Sequence, residues 1–292
     1  MLRFIITAAL FLTLSGNTTA LQVDNYGINF DSNTYGQPST VSAQSDGKAI
    51  LVTKVSSGQY NVIRLNIDSS IDSSFNSATI SASFLNKPYI LPNDEIIIYG
   101  KFQSFRGSTA YGIVRLSPNG DTDFMFDSNQ YSGLSSAQLT STVALDYNGD
   151  LLVGRPYGVE RWKNVSDTRD SNFNLRLYRN GSASRPANII PRIDGRIIVT
   201  HSGAWIYGAE GKIDVDGISE FLPDGTGLSS LSIDHGITSQ ESAIYASTAF
   251  ISGSALVTRI SSNGMEHTIG KLNFDNSLSS TFNIGLVTGE YP

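Results

Sequence analysis

The sequence predicts an all-β protein, a β-propeller of about five four-stranded blades with a sixth left open, and three observations carry that prediction. Turn dipeptides followed by β-branched or apolar runs recur along the chain at a period near 48 residues. A second series of strands, each carrying one basic residue, follows the first within the same repeat. Helical periodicity is absent, because Ser, Thr, Gly, Asn and Asp interrupt every window of about ten residues. A unit of this length, with room for four short strands and repeated radially, is the signature of a propeller.

The first series consists of Asp46-Gly47, Asn93-Asp94, Asn148-Gly149, Asp194-Gly195 and a degenerate Gln240-Glu241, separated by 47, 55, 46 and 46 residues. Each precedes an apolar run and marks a tight turn between two strands, since these residues supply the positive φ that short hairpins need.

The second series carries Arg64, Arg115, Arg161 and Arg259. A turn begins four residues after Arg64, Arg115 and Arg259, and Lys212 has the same offset to Asp216-Gly217. The position eight after each basic residue then lies across the hairpin, which gives Asp72, Asp123, Glu220 and His267. In the third copy the turn over residues 163–169 is longer and the partner becomes Asp170. These are expected to be cross-strand ion pairs on partly exposed hairpins, each worth about 0.2–1 kcal/mol. A ring of arginines lining an anion-binding tunnel is the less favoured reading, because the arginines already have partners.

Phe30, Phe75, Phe126, Phe173, Phe221 and Ile269, spaced 45, 51, 47, 48 and 48, supply one core anchor per repeat. Trp162 falls at the Leu65 and Leu116 position and belongs to the core. Residues 23–30 and 281–287 are expected as two further strands, closing the ring or contributing to a sixth blade.

Composition narrows the function classes. The chain has 292 residues, 26 acidic and 20 basic, with a net charge of -6. This balance argues against a nucleic acid or an anionic membrane as the main partner. Without cysteine, disulfide scaffolds, thiolate metal sites and cysteine nucleophiles are excluded. Residues 1–20 read as a secretory signal peptide, with Arg3, an apolar run over 4–14, and Thr18 and Ala20 suiting the peptidase. The apolar run is too short for a membrane span, which needs about 20 residues. The expectation is a mature monomer over residues 21–292, one domain, secreted or periplasmic. Export without any cysteine fits a bacterial protein. The sequons at Asn164 and Asn180 would matter only in a eukaryotic secretory route.

The segments 46–52, 62–66 and 71–76, with 113–121 and 170–173, resemble the delta-60 repeat family of bacterial β-propellers. The resemblance is close over about residues 40–175 and loose over 190–270. It implies fold and export, and brings no catalytic motif, cofactor or site residue with it.

No nucleophile elbow, zinc helix or phosphate-cradling loop is present. His201, His235 and His267 lack ligand spacing, and Asp214-Val-Asp216-Gly217 is only a fragment of a calcium loop. No metal or cofactor is expected. The expected function is a noncatalytic binding domain for an unknown protein or glycan, with Trp205 and Tyr207, in a segment with no counterpart elsewhere, as candidate binding residues. The alternative is a glycan-active hydrolase using Asp146 and Asp234, which would need its carboxylates within about 5–9.5 Å.

Overall fold

The computed structural model describes residues 30–124, 126, 140–164, 166–179, 182–183, 186–201, 204–208, 211–215, 218–228, 243–249, 255–260, 266–272 and 284–288. The leader (1–20), the segment 23–29, the Gln240-Glu241 turn, Asp216-Gly217, Asn180, Asp234 and His235 lie outside the described residues. One helical turn, Ser32–Tyr35, precedes the sheets and is capped by Asp31, whose Oδ1 accepts from the Asn33 and Thr34 amides. Every other described element is a strand.

One hydrogen-bonding scheme defines the first turn of each of the first four repeats. The amides of Gln44, Leu91, Asp146 and Arg192 donate to the carbonyls of Lys48, Glu95, Asp150 and Arg196 at 2.8–2.9 Å. The fourth turn residue, Gly47, Asp94, Gly149 or Gly195, has φ of 84°, 64°, 79° or 83°. A second turn, bonded in the same way, runs over 66–70, 117–121 and 222–226.

In the first repeat Gln37–Ala43, Ala49–Ser56, Gln59–Leu65 and Ala78–Leu85 form an antiparallel meander. The second contains Tyr89–Ile90, Ile96–Phe102, Ile113–Leu116 and Thr122–Phe124. The third contains Val143–Leu145, Leu151–Arg155, Gly158–Lys163, Thr168–Arg169 and Leu175–Arg179. The fourth contains Pro186–Pro191, Ile197–His201 and Ile218–Phe221. A last meander orders Ala243–Ala249, Ala255–Ile260, Glu266–Leu272 and Ile284–Thr288.

The core explains why these sheets stack. In Ile96–Phe102, Ile96 and Ile98 pack with Ile50, Val62 and Ile80 of the first repeat, whereas Ile97 packs with Val143, Leu151 and Trp162 of the third. Likewise Leu152 joins Ile197, Val199 and Phe221 of the fourth repeat, while its neighbours Leu151 and Val153 face the second. Successive strand residues point to opposite faces, so a strand between two neighbouring sheets must be apolar on both. Burying each such Ile or Leu contributes about 1.5–3 kcal/mol. Trp162 lies opposite Leu151 in the position that Leu116 takes opposite Ile96, as expected.

The fourth repeat departs from the sequence expectation. Phe221 is not a closing anchor: it sits opposite Ile197, in the register place of Leu65, Leu116 and Trp162. Lys212 and Glu220 do not face each other across a hairpin, because Gly211–Val215 pairs with Ala204–Gly208 and Ile218–Phe221 pairs with Ile197–His201. The physical reason is an inserted hairpin, Ala204–Gly208 with Gly211–Val215, which occupies the stretch that the spacing assigned to the repeat itself. Glu220 therefore stands where the other repeats carry arginine, and Leu228, whose amide donates to the Glu220 carbonyl at 3.1 Å, stands where they carry Asp72 or Asp170. In the last meander the residue opposite Arg259 is Thr268, one place beyond the expected His267.

Candidate functional site

Among the described residues, Arg64, Arg115 and Arg161 of the arginine series are latches, each engaged with a carboxylate. Arg64 donates through Nε to Asp72 Oδ2 at 2.9 Å and lies 5.0 Å over the Phe75 ring. Arg161 bonds Asp170 at 2.9 and 2.6 Å and stacks on Phe173 at 4.6 Å. Arg115 pairs with Asp123 at 2.5 Å, stacks on Phe124 at 5.4 Å and makes two further bonds to Asp167 at 2.8 and 2.9 Å. The expected partners are present, but Arg64 and Asp72 are buried and not partly exposed. Lys48 adds a second cation to Asp72 at 2.9 Å. Hydrogen bonds from Ser74, then Lys48, hold the Asp72 carboxyl well below the usual carboxylate range.

Asp146 ends the strand Val143–Leu145 and opens the third repeat's first turn. Its Oδ1 accepts from the amides of Asn148 at 2.9 Å and Asp150 at 3.0 Å, and its Oδ2 is 3.9 Å from Arg161. Burial pushes its carboxyl above the usual range. The local geometry is that of a side chain satisfying a turn. Asp234, the second acid of the hydrolase reading, lies outside the described residues.

Trp205 and Tyr207 lie on the inserted hairpin. It leaves Ile197–His201 at the end remote from the 192–196 turn and pairs with the outer strand of the preceding repeat, Leu175–Arg179. Leu177, Ile206 and Ile213 form one register row, with Leu177 and Ile206 fully buried. The alternate row holds Tyr178, Trp205 and Asp214, and Tyr207 pairs with Lys212 one step along. The backbone therefore gathers three aromatic residues from two chain segments into one alternation phase of a three-stranded patch.

Two polar groupings were not anticipated. Glu220 is buried and bonded by Arg196 at 3.0 Å and Arg192 at 3.4 Å, the charge-reversed form of the Glu95 and Arg115 pair at 3.4 Å. His201 is buried with Nε2 at 2.7 Å from Ser219 Oγ, and burial lowers its pKa to about 4. A signal for the first existed in Asp194-Gly195-Arg196, where the residue after the turn dipeptide is basic, as in Lys48. Among the described residues no group of His, Asp and Glu side chains is arranged to hold a metal ion.

Stacked antiparallel sheets built on one repeating turn register define a β-propeller. The family described as a domain of unknown function (DUF5122) β-propeller matches residues 44–75 and 91–123, the turn-and-arginine portions of the first two repeats. No curated protein shows sequence similarity to the chain. Among solved structures, PorZ of Porphyromonas gingivalis, an essential bacterial surface component of the type-IX secretion system, superposes with a TM-score of 0.51 at 14% identity, over 84% of this chain and 33% of that one. The extracellular domain of the putative one-component system BT4673 from B. thetaiotaomicron gives 0.50 at 13% identity, over 86% of this chain and 31% of that one. This chain thus spans about a third of the length of each. Both likenesses concern the fold, and both neighbours are surface or extracellular bacterial proteins. No helix among the described residues is long and apolar enough to cross a membrane.

Proposed function

We propose that this protein is a noncatalytic interaction domain, exported from a bacterial cell, that recognises a protein or glycan through the hairpin inserted in its fourth repeat. One observation carries the reading: the repeat scheme is interrupted by Ala204–Gly208 and Gly211–Val215, and that interruption brings Trp205 into register with Tyr178, with Tyr207 in the same alternation phase. One alternation phase of the hairpin joins the core through Ile206, and the aromatic residues of the other phase are suited to stacking on sugars or anchoring a protein face. In this reading residues 1–20 are the removed leader, 21–292 form one propeller of five blades acting as a monomer, and the repeats are of the delta-60 type. The surface and extracellular settings of the structural neighbours support the placement outside the cytoplasm. The Asp146 side chain, already accepting two turn amides, weighs against the hydrolase alternative. The test is Trp205→Ala with Tyr207→Ala: folding stability should stay close to wild type while ligand binding is lost, and a collapse in stability would instead make these residues core.

A further inference from the structure

Three of the large apolar residues exposed among the described residues share one position. Ile67, Tyr147 and Ile193 are 76%, 50% and 57% exposed, and each directly follows the first residue of a repeat turn. At the same corner other turns hold Pro92, Pro118 and Pro223. Proline has a structural reason to be there, since its fixed φ suits the second residue of a tight turn. Isoleucine and tyrosine have no such reason, and at this exposure they contribute little to the core.

The corners belong to one continuous end of the sheets. The Ser45 amide donates to Asp94 Oδ1 at 2.7 Å, and Gln44 Nε2 reaches the Asp94 and Pro118 carbonyls at 3.1 and 3.3 Å. Arg115 spans to Asp167 in the third repeat's second turn, and Arg161 spans to Pro223 in the fourth's. Within repeats, a Cβ on Gly47 would lie 3.2 Å from Ile67, and one on Gly195 would lie 3.1 Å from Pro223.

The same end is negatively charged. Asp68, Asp194 and Asp224 follow Ile67, Ile193 and Pro223, and Asp46 takes the equivalent place after Ser45; all four are exposed. Hydrogen bonds from Ser70 and Thr226 keep the Asp68 and Asp224 carboxyls below their ordinary range. The cations beside these turns are engaged mainly with buried carboxylates: Lys48 with Asp72, Lys163 with Asp150 and Asp170, and Arg196 with Glu220, although Arg196 also pairs with the exposed Asp194, which leaves Asp46, Asp68 and Asp224 to carry most of the negative charge.

We propose that the turn-bearing end, with Ile67, Tyr147 and Ile193 set among Asp46, Asp68, Asp194 and Asp224, is a docking surface for a basic polypeptide segment in which Lys or Arg alternates with large apolar side chains. Apolar corners anchor such a segment, and the carboxylates steer it and fix its charge preference. The same carboxylates repel nucleic acid and anionic lipid. This surface is separate from the inserted hairpin, which leaves its strand at the opposite end from the 192–196 turn.

The test uses the full chain and three probes: a peptide of alternating lysine and leucine, its glutamate and leucine counterpart, and phosphatidylcholine vesicles. The lysine peptide should bind, and Ile67→Ser with Tyr147→Ser and Ile193→Ser should weaken it by roughly tenfold or more. Asp46→Asn with Asp68→Asn and Asp224→Asn keeps the oxygens that cap the turns, so the fold should persist while affinity and its salt dependence fall. Trp205→Ala with Tyr207→Ala should leave this binding unchanged, which separates failure here from failure of the hairpin reading. The proposal is overturned by no binding of the lysine peptide, by equal binding of the glutamate peptide, by serine variants that bind as wild type, or by vesicles binding in place of peptide.

Discussion

Arg64 Nη1 donates to the carbonyl oxygen of Pro118, in the next repeat, at 2.6 Å. Arg161 makes the same bond to Pro223 at 2.7 Å. Arg115 meets the longer turn of the third repeat and takes the Asp167 carboxylate instead. Alongside each bond, the amide after the closing Phe donates to the neighbouring turn: Asn76 to the Asn119 carbonyl at 2.8 Å and Asn174 to the Asp224 carbonyl at 3.0 Å. One side chain thus ties its own hairpin, its own aromatic anchor and the following repeat together.

Replacing Arg64 with Met keeps the stem and removes the hydrogen bonds to Asp72 and Pro118 together with the stacking on Phe75. With the guanidinium almost wholly buried, the expected cost is about 3 kcal/mol in urea unfolding. Asp167→Asn, on a partly exposed pair, should cost about 0.2–1 kcal/mol. Equal effects would contradict the account that burial sets the strength of these links.

Gly120 illustrates the closeness of that junction. It has φ of 87°, and a Cβ there would lie 2.7 Å from both the Asn76 carbonyl oxygen and the Phe75 ring of the preceding repeat. Gly107 has φ of 80° with open space around it. Gly107→Ala should cost about 1 kcal/mol from backbone strain alone, and Gly120→Ala clearly more. Thermal unfolding of the two variants side by side checks the ordering.

Glu220 is the counterpart of the arginines with its sign reversed, and Arg192 beside it is as deeply buried. Glu220→Gln leaves that cation without its carboxylate and should cost about 3–5 kcal/mol by denaturant unfolding. A near-neutral result would contradict the assignment of this residue to the arginine position.

His201 sets a pH dependence. Its folded pKa is about 4 against 6.5 for the free side chain, with burial as the cause. Between those values the unfolded chain binds the extra proton, so stability is complete above about pH 6.5 and falls as pH drops toward 4, by about 3 kcal/mol in all. In His201→Asn the unfolding free energy should lose this slope, while any slope from carboxylates remains.

The first four turn dipeptides, Arg64, Arg115 and Arg161, and the aspartates Asp72, Asp123 and Asp170 were legible because one strand register recurs through the first three repeats, with the third only lengthening its second turn. The fourth was misread because the alternating run 211–215 followed by 218–221 imitates the usual third and fourth strands, and Phe221 falls at the expected spacing by coincidence. Charge reversal at Glu220 hid the remaining marker. Trp205 and Tyr207 were recognised as unlike the other repeats, but the register of Trp205 with Tyr178 depends on pairing between segments that sequence spacing does not encode. The exposed corners carried a signal, an apolar residue before Asp or Asn, that is masked wherever the corner residue is proline.

The central claim is that this propeller binds without catalysis, and a thermal-shift screen of the chain against oligosaccharides, polysaccharides, calcium and basic peptides tests it most directly. A ligand at about 100 times its dissociation constant adds about 2.7 kcal/mol of stability. The account predicts that at least one glycan or peptide raises the melting temperature, that no glycan is consumed, and that Trp205→Ala with Tyr207→Ala or the corner serine variants remove the shift. Turnover of a glycan that disappears in Asp146→Asn with the fold intact would contradict it.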